Sequence, residues 1–187
     1  VKKLGLFLVT SLLIASFIPT VAAQEATGEE NGDRPVPAGF RDIILGKSLD
    51  EVKAELKADG YFHYRGEPDV TLLPRPNYTV IESEGAVFID RGFFQFHEKK
   101  LYIIILMLNE EKIDYFTMYT ILKEKYGDPS YLDPEQVVWE NETVRMSLER
   151  PLQIKYVELG TFEQLNRTAE AEESMEQYTR DKFLEEF

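Results

Sequence analysis

The amino-acid sequence predicts an α+β fold: two related helix-plus-antiparallel-strand units sharing one sheet, with the helices packed on one face. Three observations carry that expectation. First, the run from Leu101 to Leu108 (Leu-Tyr-Ile-Ile-Ile-Leu-Met-Leu) is uncharged and mostly branched or aromatic, which suits a central strand covered on both faces. Second, apolar residues recur at helical spacing twice, at Leu49, Val52 and Leu56 and again 66 residues later at Tyr115, Met118 and Leu122. Third, each of these segments is followed by a glycine and then by hydrophobic strand-like runs. One helix and three short strands bury little surface alone, so two such units are expected to share a core as a single domain.

The first 23 residues read as a signal peptide. Lys2 and Lys3 form a positive start, Leu4 to Ile18 an apolar stretch, and Val21-Ala22-Ala23 a small-residue cleavage site. Residues 24–39 are acidic, contain three Gly and two Pro and almost nothing large and apolar, the composition of a flexible leader. A domain is expected over 40–160, with units at about 43–108 and 113–159. Ser48, followed by Glu51, marks a capping box for a helix over 48–59. The 61–77 segment, with its aromatic run and Gly66, Pro68, Pro74 and Pro76, is expected to be irregular. Strands are predicted at 78–82, through 86–96 with a bend at Asp90-Arg91-Gly92, and at 101–108, with His97 to Lys100 as a hairpin loop.

The second unit repeats this plan. Asp114 caps a helix with Tyr115, Met118, Ile121, Leu122 and Tyr126 as its apolar stripe, and Gly127-Asp128-Pro129 ends it. Strands follow at 137–140, 143–149 and 153–159, the middle one facing Val144, Met146 and Leu148 inward. Residues 161–187 form an acidic C-terminal helix or tail in which Leu165, Met175, Tyr178 and Phe183 are candidates for oligomerisation or partner contact.

Composition narrows the function. Thirty-four acidic against 21 basic residues give a net charge of −13, a field that repels nucleic acid and anionic membrane. Without cysteine there is no disulfide scaffold, thiol catalysis or thiolate metal site. Only His63 and His97 are present, and no zinc, calcium, P-loop or nucleophile-elbow signature occurs. No cofactor or metal is therefore expected. Glu82, Glu84 and Asp90, with Arg91 beside them, are the carboxylates considered for hydrolysis, which requires two acids across a cleft.

Tyr61, Tyr64 and Arg65 are the candidate protein-binding residues, because aromatic and Arg side chains dominate interface hot spots. Phe62 and Trp139 belong to the same class of side chain, and Trp139 is expected in the core. The sequence thus points to a non-enzymatic periplasmic or secreted module that binds another envelope or secreted protein, without stable membrane insertion of the mature chain. A small-ligand binder or a carboxylate-dependent hydrolase is the alternative.

Gly46-Lys47-Ser48-Leu49-Asp50-Glu51-Val52 with Leu56, and then Leu122, Tyr126-Gly127-Asp128-Pro129 and Trp139, resemble the exported SmpA/OmlA-type modules and the tandem modules of beta-lactamase-inhibitor proteins. The resemblance covers residues 43–159. It implies helices against antiparallel strands and a role in binding proteins. The chain departs from the assembly lipoproteins in lacking a lipidated Cys, so their membrane anchoring is not carried across. No inhibitor contact residue is carried across either.

Overall fold

Three segments of the expected organisation lie outside the residues that the structure, a computed structural model, describes: the signal peptide, most of the leader, and Pro74 with Pro76. The described residues are 35–72 and 77–184. Val36 and Phe40 already pack against the core. β1 (Gly39–Phe40) and β2 (Ile43–Ile44) form a small hairpin. α1 (Leu49–Ala58) begins at the capping box: the Ser48 hydroxyl accepts the Glu51 N–H, and the Glu51 carboxylate accepts the Ser48 N–H at 2.8 Å. Val52 and Leu56, one helical turn apart, are its buried residues.

β3 (Val70–Leu72), β4 (Tyr78–Glu84), β5 (Ile89–His97) and β6 (Lys100–Leu108) follow. Then come α2 (Tyr115–Tyr126), β7 (Tyr131–Leu132), β8 (Gln136–Glu140), β9 (Val144–Glu149), β10 (Gln153–Glu158) and α3 (Leu159–Leu184). The result is a mixed α+β fold with three helices and two sheets among the described residues. In the larger, eight-stranded sheet the order is β3-β4-β5-β6-β10-β9-β8-β7. Each neighbouring pair is antiparallel, so two four-strand meanders meet where β6 pairs with β10.

Strand alternation sorts the side chains into two faces. Ile81, Phe94, Ile104, Tyr156, Met146 and Trp139 lie across six neighbouring strands and belong to one buried cluster, which Val52 and Leu56 of α1 and Leu122 of α2 complete. On the opposite face a smaller cluster forms from Tyr102, Ile103 and Val157, covered by Phe162 and Leu165 in the first turns of α3.

β6 is thus covered on both sides, as its composition predicts. Tyr102 and Ile103 share a face because the register shifts between Gln95↔Ile103 and Phe96↔Leu101, leaving Tyr102 as an extra residue. A second shift leaves Asp90 unpaired within β5, so the expected bend is a bulge inside one continuous strand. Residues 86–88 form a turn instead of a strand. The β5–β6 loop is only Glu98-Lys99, both at positive φ (49° and 64°). That two-residue geometry ordinarily selects Asn-Gly, which is why the sequence suggests a longer loop.

Candidate functional site

The three aromatic and Arg residues singled out by sequence each meet other groups of the protein. Tyr61 packs edge-on against Phe40 with ring centroids 6.1 Å apart, and the Arg41 guanidinium lies 5.1 Å from its ring centre. Tyr64 is half-buried against the main core, and its hydroxyl is buried with no hydrogen-bond partner. Burial pushes its pKa up, partly offset by the nearby Lys53 ammonium. Arg65 closes on Asp69: its backbone N–H donates to Oδ2 and its Nε to Oδ1, both at 2.8 Å. Phe62 and Trp139 are core residues at 6% and 2% exposure.

The other candidates do not converge. Glu82 pairs with Arg91 at 2.7 Å on the sheet surface, and Asp90 accepts the Asn109 side-chain amide at 2.8 Å. The two histidines stand at opposite ends of β4: the His63 N–H donates to the Glu84 carbonyl, whereas the His97 ring meets that of Tyr78 at a tilt of 57° with centroids 5.0 Å apart. Among the described residues, no three His, Asp or Glu side chains are grouped so as to hold a metal ion. No described helix is long and apolar enough to cross a membrane.

A different surface stands out beside α2. Asp114 caps this helix, accepting the Thr117 N–H at 2.9 Å, and Tyr115 turns inward to donate its hydroxyl to the Leu148 carbonyl at 3.1 Å. The next residue, Phe116, therefore turns outward and is 73% exposed; Ile121 is 50% exposed despite its expected place in the buried stripe. The reason is angular. At about 100° per residue, Leu122 takes the core-facing position and leaves its neighbour Ile121 on the flank.

The facing wall is the β7–β8 hairpin. Its turn is fixed by the Asp133 carboxylate, which accepts the N–H groups of Glu135 and Gln136 at 2.7 Å each. Trp139 Nε1 donates to the Gly127 carbonyl at 2.9 Å, tying the end of α2 to β8. Between helix and hairpin lies a cavity of about 430 Å³ lined chiefly by Tyr115, Phe116, Tyr119, Leu132, Val137 and Arg150. Leu132 is 57% exposed at its mouth. A second hollow, of about 470 Å³, shares Phe116 and Tyr119 and continues along α2 to Gly127.

The charges around these hollows are fixed. Asp133 is held below the ordinary carboxylate range by the two backbone N–H groups, and Asp114 by the Thr117 hydroxyl and N–H. Of the two cations, Lys123 pairs with Asp128 at 2.7 Å, and Arg150 lies 4.4 Å from the Tyr115 ring centre while donating to the Pro134 carbonyl. Phe116 and Leu132 escape a sequence reading because they lie off the periodic stripe and outside the predicted strands. The only available signal is a Phe at the first turn of a helix whose neighbour already fills the core.

Fold and surface together define a mixed α+β protein with a groove between α2 and the β7–β8 hairpin. A family model described as the TP0088 domain matches residues 38–168, and the chain belongs to that family. No curated protein and no solved structure matches it.

Proposed function

We propose that the protein is a non-enzymatic, exported binding module that engages another envelope or secreted protein through the groove between α2 and the β7–β8 hairpin. One observation carries this reading: Phe116, Tyr119 and Leu132 place aromatic and aliphatic surface around a concave site, with Phe116 and Leu132 exposed at 73% and 57%. Such patches are characteristic of partner contact, and aromatic side chains in a shaped pocket contribute most of an interface's energy. Export rests on the signal-like composition of residues 1–23.

The same reading treats α1 with β3–β6 and α2 with β7–β10 as two related units. Support comes from the mirrored strand order about the β6–β10 pair and from the 66-residue offset of the helical stripes. The SmpA/OmlA-type and inhibitor-type resemblance of residues 43–159 points the same way, toward protein binding. Within this scheme the exposed positions of α1 carry no large apolar side chain, being Asp50, Glu51, Ala54, Lys57 and Ala58, whereas α2 exposes Phe116 and Ile121. The second unit then carries the contact surface.

Affinity capture from the native envelope, with the wild-type chain and a Phe116→Ser/Leu132→Ser variant as baits, tests the proposal. A partner retained by wild type and lost by the variant at unchanged melting temperature supports it. Equal retention by both removes the groove from the interaction.

A further inference from the structure

We infer that the groove's occupant is an extended polypeptide segment in which an aliphatic or aromatic anchor is flanked by Lys or Arg. This rests on the binding reading above and adds the partner's chemistry. The apolar part follows from the lining: Phe116, Tyr119, Leu132 and Val137 offer carbon surface at the scale of a side chain, in about 430 Å³. The basic part follows from the rim. Asp114 and Asp133 border this cavity against Arg150, while in the adjoining hollow Asp128 and Lys123 pair with each other.

Lys123 is offset by its partner Asp128, whereas Arg150 contacts only the neutral Tyr115 ring and Pro134 carbonyl and keeps its charge, so the two carboxylates of this cavity outnumber its one cation. The carboxylates of Asp114 and Asp133 remain ionised because backbone and hydroxyl donors hold their pKa values down. A cationic segment is thus attracted by the local rim and by the net charge of −13. A second copy of this chain would bring the same negative charge. The extended conformation follows from position: β7 is a terminal strand of the sheet, with β8 on one side only, and terminal strands accept extended chains. Its two residues keep that edge short, so the pocket anchor, and not a long ladder, dominates.

The test uses the full chain and a blocked heptapeptide alternating lysine with valine or leucine. One control replaces the apolar residues by serine and another replaces lysine by glutamate. Saturable binding is expected, with amide NMR shifts concentrated at 115–120 and 131–138. Affinity should weaken about tenfold between low salt and 0.5 M NaCl, and about tenfold or more in Phe116→Ser/Leu132→Ser. Equal binding of the serine peptide, equal binding of the glutamate peptide, shifts spread over the acidic surface, or no saturation each overturns the inference. So does a concentration-dependent dimer abolished by the double variant, because a second copy then fills the groove. If envelope capture depends on the groove while the lysine peptide fails, the partner chemistry is wrong and the binding reading stands. If capture is groove-independent, the binding reading itself falls.

Discussion

The Asp69 side chain, fully out of solvent, grips Arg65, whose own side chain is 64% exposed, at 2.8 Å. The asymmetry decides what each truncation leaves behind. Asp69→Ala leaves a guanidinium that water can solvate; Arg65→Ala leaves a buried carboxylate whose one remaining donor among the described residues is the residue-65 backbone N–H. Breaking a pair by stranding the buried charge is the costlier event. Arg65→Ala is expected to destabilise by about 2–4 kcal/mol and Asp69→Ala by about 1–2 kcal/mol. Urea denaturation of both variants decides it, and equal losses would show that the pair behaves as a surface ion pair. A consequence is that a Tyr64→Ala/Arg65→Ala double variant perturbs the fold and is a poor probe of binding.

Ile104 sits at the centre of β6, fully buried between Phe94 of β5 and Tyr156 of β10. Ile104→Asp places a carboxylate in the main core where no cation is at hand, and is expected to cost several kcal/mol or prevent folding. Lys47 is the instructive comparison. Its Nζ lies 2.8 Å from Glu55 and donates to the Asp42 carbonyl. Lys47→Asp reverses that attraction and is expected to cost about 1–2 kcal/mol. Thermal melts of the two variants separate a core defect from a surface one; parity between them would displace β6 from the centre.

Periodicity and punctuation made much of this fold legible. Ser48 with Glu51, Asp114, and Gly127 before Pro129 mark helix ends through local hydrogen bonds that act within a few residues, so they are visible in sequence. The composition of 101–108 discloses double coverage for a similar reason. What stays hidden is set by distant partners. β3 and β7 are short terminal strands defined by pairing alone, and Tyr102 changes face only because Gln95 and Phe96 shift register opposite it. The groove is hidden for the same reason: Phe116 and Leu132 are 16 residues apart and become neighbours of one cavity only when β7 folds back onto β8.

Both helix caps depend on ionised carboxylates. Hydrogen bonds from the Ser48 side chain and backbone hold Glu51 below its ordinary value of 4.5, and those from the Thr117 hydroxyl and N–H hold Asp114 below 3.8. A carboxyl with a lowered folded-state pKa contributes stability that is present above its unfolded value and lost as pH falls through the folded one. Melting temperature should therefore decline on acidification from just above pH 4.5 downward. Glu51→Gln and Asp114→Asn should each lie below wild type at about pH 7 and converge toward it near about pH 2. Parallel wild-type and variant curves over that range would show that neither cap carries the acid sensitivity.

The last prediction concerns α3, which changes character along its length. Its start is fixed: the Glu158 carboxylate accepts the N–H groups of Gly160 and Thr161, and the Leu159 N–H donates to the Thr143 carbonyl. Phe162 and Leu165 then cover Tyr102, Ile103 and Val157, while every described residue from Asn166 onward is exposed. Cover by half-buried side chains contributes in proportion to the apolar area removed from water, so Phe162→Ala/Leu165→Ala should cost about 1–3 kcal/mol. Ending the chain after Thr168 should change the unfolding free energy by less than about 0.5 kcal/mol, because the removed turns touch nothing in the core clusters. Denaturant melts of the two variants, with limited proteolysis to follow the helix, make the comparison. If truncation proves as costly as the double alanine, the outer turns of α3 support the fold. If it costs little, Met175 and Tyr178 are dispensable for folding, and any contribution they make lies in contact with a partner.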